Sequence, residues 1–169
     1  IARKTLADLV DALGESAHLA VLHGREIYYV LEESAPGRPP LVTDVGVRLP
    51  AHLTASGRAI LASLPSSQVR ALYPDRLAFV SRYDTGPSSL SALSALLGAT
   101  RRRGHAREDG DVTPGFSSVA SAVTDHSSYP IAAVAVTYPT ESAHDVDAAV
   151  RRVASVAGAL SRRLGAVEG

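Results

Sequence analysis

The sequence predicts an α+β domain, an antiparallel sheet of about six strands with helices packed on it. Three observations lead there. The elements read in the order helix, three strands, helices, three strands, helix, with no β-α-β alternation through the chain. Short turns join neighbouring strands, as antiparallel hairpins allow. The C-terminal segment places Val146, Val150, Val153, Ala157, Leu160 and Leu164 at helical spacing, so a long helix presents one apolar stripe.

Taken in order, Leu6, Leu9, Val10 and Leu13 mark a first helix that Gly14 stops. Ala17 to Leu22 and Glu26 to Glu32 read as strands around the tight turn His23-Gly24-Arg25. Pro36, Gly37, Pro39 and Pro40 make a loop, and Leu41 to Val45 reads as a third strand. A helix is expected over Thr54 to Leu64, with Thr54 or Ser56 as cap and Pro65 as stop. A short helix follows from Ser66 or Ser67 to near Pro74, then an irregular stretch from Asp75 to Pro87. Ser88 or Ser89 opens a helix carrying Leu90, Leu93, Leu96 and Leu97, which Gly104 closes. His105 to Glu108, Phe116 to Thr124 and Ile131 to Tyr138 read as strands, the last two joined by Asp125-His126-Ser127-Ser128. Ser142 with Asp145 resembles a capping box before the last helix.

The 169 residues suit one domain with one core. Their 17 basic and 17 acidic side chains cancel, which argues against a surface whose main task is to hold a nucleic-acid backbone. Arg101, Arg102 and Arg103 cluster where a helix ends, and cations there complement the helix dipole. The absence of cysteine excludes disulfides, thiolate metal sites and a cysteine nucleophile, and fits a cytoplasmic location. The longest strongly apolar run, Ile131 to Val136, is too short to span a membrane.

Side-chain size separates the two faces of the later strands. Ala132, Val134 and Val136 share a face, and Val119 and Val123 of the strand before lie on one face with Ser117 and Ser121. This bulky side suits packing under the last helix. The opposite face carries Ala133, Ala135 and Thr137, with Phe116, Ser118, Ala120 and Ala122. So thin a face means either a closely packed backbone or helix, or a ligand cavity. The hydroxyls of Ser118 and Thr137 need partners if buried, and a polar ligand is one way to supply them.

The segment from Val45 to Ala62, Val-Gly-Val-Arg-Leu-Pro-Ala-His-Leu-Thr-Ala-Ser-Gly-Arg-Ala-Ile-Leu-Ala, resembles the most distinctive stretch of the IclR effector-binding domain. Leu13 to Leu19, Arg103-Gly104-His105-Ala106 and Pro114 to Ala120 resemble further marks of that family, in the same order along the chain. The sequence departs from the family pattern at His105 (usually Tyr), Gly110-Asp111 (often Glu-Glu), Ser118 (cysteine in some members) and Tyr138-Pro139 (often Gly-Pro).

The resemblance implies a GAF-like fold for residues 1–169, a single sensing domain whose N-terminal winged helix-turn-helix is missing from this chain. It implies a small-molecule effector, commonly an organic or aromatic acid, a homodimer or homotetramer, and contact with operator DNA only through the missing domain. No cofactor, metal or membrane partner is implied. It places the ligand pocket between the thin face and the long motif, lined by Leu41, Ala55, Ser56, Glu108, Phe116, Ser118, Ala135 and Thr137. Strand alternation reaches Ser118, Ala135 and Thr137 by a separate route, and the agreement favours a cavity roomy enough for a metabolite. An anion or carbonyl group is expected at the start of the Ser56 helix, where free amides point outward, with Leu41 and Phe116 covering the apolar body. Glu108 is awkward for an acid ligand; it either accepts a hydroxyl or amino group or is a surface carboxylate at a strand end. Arg58 is expected to pair with an acidic residue, and His52 to be structural.

An enzyme is not expected. Gly115-Phe116-Ser117-Ser118-Val119 lacks the last glycine of a nucleophile elbow, the spacing after Asp109-Gly110-Asp111 fails for a calcium loop, no His-Glu-x-x-His occurs, and Lys4 is the only lysine. The alternatives are a dimerisation scaffold with a collapsed pocket and, more distantly, a small-molecule hydrolase.

Overall fold

The computed structural model describes residues 1–39, 41, 45–142 and 145–166. Six strands form one antiparallel sheet in the order β3-β2-β1-β6-β5-β4. They are β1 (Ser16–His23), β2 (Glu26–Glu33), β3 (Arg48–Pro50), β4 (Ala106–Asp109), β5 (Phe116–Thr124) and β6 (Pro130–Pro139). The helices are α1 (Ala2–Leu13), α2 (Ala55–Ser63), α3 (Ser66–Leu72), α4 (Leu90–Arg103) and α5 (Val146–Arg163). The α+β architecture read from the sequence is the one observed.

The two faces divide as their side-chain sizes dictate. Val119, Val123, Val134 and Val136 are buried under α1 and α5, against Leu6, Leu9, Val10, Ala149, Val153 and Ala157. Burial of such side chains contributes about 1.5–3 kcal/mol each relative to exposure. On the thin face, α2 lies almost on the sheet, with Ala55, Ala59 and Ile60 against Ala106, Ala120, Ala133 and Ala135. Beyond them a second core gathers Ile27, Leu53, Leu61, Tyr73, Leu93 and Leu97 under α3 and α4. In the β1–β2 pairing Leu19 faces Leu31 and Ala20 faces Tyr29, so β2 holds one extra residue and Tyr29 turns onto the thin face.

Local chemistry explains the ends. Gly14 takes a left-handed φ of 68° and returns its amide to Val10, and Gly104 closes α4 in the same way. Thr54 caps α2 by accepting the amide of Gly57, leaving Ser56 inside the helix. Asp145, not Ser142, caps α5, accepting the amide of Ala148 at 2.9 Å, while the Ser142 hydroxyl donates to the Pro139 carbonyl. Two strand readings shift. β4 starts at Ala106 rather than His105. Of the strand expected over Leu41 to Val45, residues 42–44 lie outside the described residues, Val45 and Gly46 form a turn, and the third strand is Arg48–Pro50. Its place is set by pairing with β2, Tyr28 opposite Arg48 and Glu26 opposite Pro50, which no local pattern announces.

The helix α2 approaches the 51–53 turn so closely that a Cβ on Gly57 would lie 2.1 Å from the Ala51 carbonyl oxygen. Backbone, not a flexible side chain, is in the way. Gly57→Ala is therefore expected to destabilise the domain by at least the 1–3 kcal/mol typical of overpacking, roughly speaking, as read from urea unfolding. A loss below about 0.5 kcal/mol, the range of a neutral surface change, would show that the contact is not tight.

Candidate functional site

Between α2 and the thin face lies a cavity that brings together all eight residues expected from the sequence, Leu41, Ala55, Ser56, Glu108, Phe116, Ser118, Ala135 and Thr137. His18, Tyr29, Thr54, Val112 and Thr113 complete its wall. Antiparallel pairing explains the convergence on the sheet side: His18 stands opposite Ala135, Thr137 opposite Ser118, and Ser118 in turn opposite Glu108.

The cavity is narrower than expected. It measures about 20 Å³, room for about one water. The small residues leave the space, but His18 and Tyr29 lean into it from the sheet, and Val112, Thr113 and Phe116 reach over it from the 110–116 segment. Wider troughs of about 410 Å³ and 520 Å³ run between the ends of α1 and α5 and beside the β1–β2 turn. They are open surface features in which Arg38 already pairs with Glu15 and Arg25 donates to the Leu72 carbonyl.

Polar groups line the cavity unevenly. Ser118 and Thr137 share a hydrogen bond of 2.7 Å, and His18 Nε2 lies 3.4 Å from the Thr137 hydroxyl. The buried Ser56 Oγ and His18 Nδ1 have no partner among the described residues. At the start of α2, Thr54 takes the amides of Gly57 and Arg58 through its side chain and carbonyl. The amides of Ala55 and Ser56 precede the first intrahelical bond and stand at the positive end of the helix.

One clamp sets the position of this wall. Arg58, buried at 4% exposure, donates to the His52 carbonyl (2.8 Å), the Arg107 carbonyl (2.8 Å) and Asp111 Oδ2 (2.7 Å). The expected acidic partner of Arg58 is thus Asp111. The amide of Asp111 donates to Glu108 Oε2, and Arg82 holds the Val112 carbonyl. His52 is packed edge-on against Tyr73 and Phe79, with Nε2 on the Val80 carbonyl, the structural role expected for it.

Burial pushes the Glu108 carboxyl up to about 7, although the amide of Asp111 and the charge of Arg58 pull the other way. Burial lowers His18 to about 4, so its imidazole is neutral at pH 7.

The chain matches the family model described as "Bacterial transcriptional regulator IclR C-terminal" over residues 1–162. It is 34% identical over 163 residues to the glycerol operon regulatory protein of Streptomyces coelicolor, covering 94% of this chain and 63% of that protein. It is 33% identical over 172 residues to the HTH-type transcriptional regulator XynR of Escherichia coli, covering 97% and 66%. The chain therefore spans between about half and two thirds of the length of the curated relatives it matches. Among solved structures, the Thermotoga maritima IclR superposes with a TM-score of 0.88 at 25% identity, covering 97% of this chain and 67% of that one. The Agrobacterium tumefaciens repressor BlcR superposes at 0.84 with 26% identity, covering 99% and 68%.

The raised carboxyl has a consequence for stability. A carboxyl whose folded value exceeds its unfolded one, here about 7 against 4.5, stabilises the fold fully below the unfolded value and loses that contribution as pH rises through the folded one. His18, lowered, acts oppositely, contributing above about 6.5 and losing it toward 4. The two effects partly offset in the wild type. Comparison with Glu108→Gln isolates the first: from pH 4.5 to 7 the variant should gain up to about 3 kcal/mol on the wild type. Urea unfolding at both pH values checks this, and a pH-independent difference would contradict it.

Proposed function

Because the chain belongs to the IclR family of bacterial transcriptional regulators, as a regulatory C-terminal domain rather than an enzyme, we propose that it senses a small metabolite in the cavity under α2. The ligand's occupancy would modulate DNA binding by a winged helix-turn-helix that precedes this domain in a longer parent protein. One observation carries the reading: Ser56 and His18 both line this cavity, and the buried Ser56 Oγ and His18 Nδ1 have no partner among the described residues. Native structures rarely leave such groups unsatisfied.

The groups available define how a ligand would be held. The amides of Ala55 and Ser56 and the Ser56 hydroxyl would take a carboxylate or carbonyl, as the positive end of a helix favours. Ser118, Thr137 and His18 would bind from the sheet, and Leu41, Phe116 and Val112 would cover the apolar body. An organic or aromatic acid of few heavy atoms is the ligand class in view, and the 110–116 segment must move outward to admit it. The domain would act as a homodimer or homotetramer, in which the ligand shifts DNA affinity only by binding one arrangement better than another.

A second reading draws on the small cavity volume: a dimerisation scaffold whose pocket has closed for good. The two differ in thermal denaturation with a panel of small carboxylates, because a ligand that binds only the folded state stabilises it. At a concentration 100 times its Kd, a true ligand is expected to raise Tm by roughly 5–10 °C, from about 2.7 kcal/mol of linkage in a domain of this size. Ser56→Ala should reduce that rise. A folded protein with no Tm response across the panel would favour the scaffold.

A further inference from the structure

The charge balance of the cavity is unusual for a site that takes acids. Its wall contains a carboxyl, Glu108, at 4% exposure, and no guanidinium or ammonium among the described residues. Two cations lie nearby. Arg58 from α2 spends its donors on two carbonyls and Asp111, and Arg82 donates to the Val112 carbonyl. His18 from β1 is held neutral by burial. Tyr29 from β2 has its phenol pushed further from ionising by burial and by the charges of Glu108 and Glu32, while the charge of Arg82 acts the other way. Asp111 adds a second negative charge on the loop side, neutralised by Arg58. A carboxylate entering this space therefore meets Glu108 with no cationic side chain in the wall among the described residues, and the positive end of α2 is the opposite charge the wall offers.

Two carboxylates in one buried site do not both stay ionised, and the pair shares a proton. Protonated Glu108 would also turn from acceptor to donor, giving its O–H to the incoming carboxylate in a short, charge-assisted bond. The carboxyl already accepts the amides of Asp111, at Oε2, and of Val112, so the proton would take a lone pair these two leave open. We propose that the cavity binds an acid metabolite as its carboxylate together with one proton from solvent, lodged on Glu108, so that acid ligands bind more tightly as pH falls. The inference rests on the cavity being the ligand site. No covalent bond is made or broken, and one proton is taken up for each ligand bound.

Isothermal titration with benzoate and with lactate from pH 6 to 9 tests this, with benzyl alcohol as the uncharged mate of benzoate. The expected result is a Kd that is level below neutrality and rises toward tenfold per pH unit above it, while Glu108→Gln has no such slope. Heats measured in buffers of different ionisation enthalpy should show close to one proton taken up per carboxylate at pH 8, a readout on the wild-type protein that needs no variant. A Kd for carboxylates that is flat with pH, or a slope that survives Glu108→Gln, would overturn the proton linkage. Binding of benzyl alcohol alone would leave the ligand site standing and defeat this inference. If none of the three probes binds the folded protein at any pH, the inference and the sensing reading fall together.

Discussion

The buried guanidinium of Arg58 holds the rest of the site in place. Three acceptors from three parts of the chain converge on it, the His52 carbonyl, the Arg107 carbonyl and the Asp111 carboxylate. One side chain thus ties α2 to the turn before it, to the edge strand β4 and to the segment that roofs the cavity. A charge so buried is costly unless fully paired, and removing one partner of such a pair typically costs about 3–5 kcal/mol. The planar fork of arginine suits the arrangement as a lysine would not. The same clamp spends the hydrogen-bond donors of the one α2 cation on Asp111 and two carbonyls, so Arg58 acts on the Glu108 carboxyl only through its charge.

Around this clamp the sheet divides its labour by side-chain size. Valines on one face build a core with α1 and α5. Alanines on the other let α2 pack directly on the sheet, while Gly57, by lacking a Cβ, lets the same helix close on the 51–53 turn. Where β5 and β6 run past the N-terminus of α2, alanine gives way to Ser118 and Thr137, and close packing gives way to a polar cavity. Stability and site thus come from one sheet and differ only in position along its strands.

Much of this was legible in the sequence because it is written locally. Alternation in β5 and β6 separated the faces, and the dense motif from Val45 to Ala62 offered Thr54 or Ser56 as the cap and Arg58 as a residue in need of an acidic partner. What was not legible depends on pairing between distant segments. His18 reaches the cavity because β1 lies beside β6 with His18 opposite Ala135, and nothing within Ala17 to Leu22 says which strand is its neighbour. Tyr29 arrives through an extra residue in β2. Val112 and Thr113 sit in a loop without periodicity, and Asp111 finds Arg58 across 53 positions. Side-chain sizes revealed that space exists over the thin face. They did not reveal how far the roofing segment would descend into it.

The most direct measurement is a crystal structure of the domain soaked with whichever small carboxylate it binds most tightly. The account predicts ligand density between Ser56 and the Ser118–Thr137 pair, with Val112 and Thr113 displaced outward and the Arg58–Asp111 pair intact. Density in the trough between α1 and α5, or a ligand-saturated protein whose cavity still holds no more than a water, would contradict it.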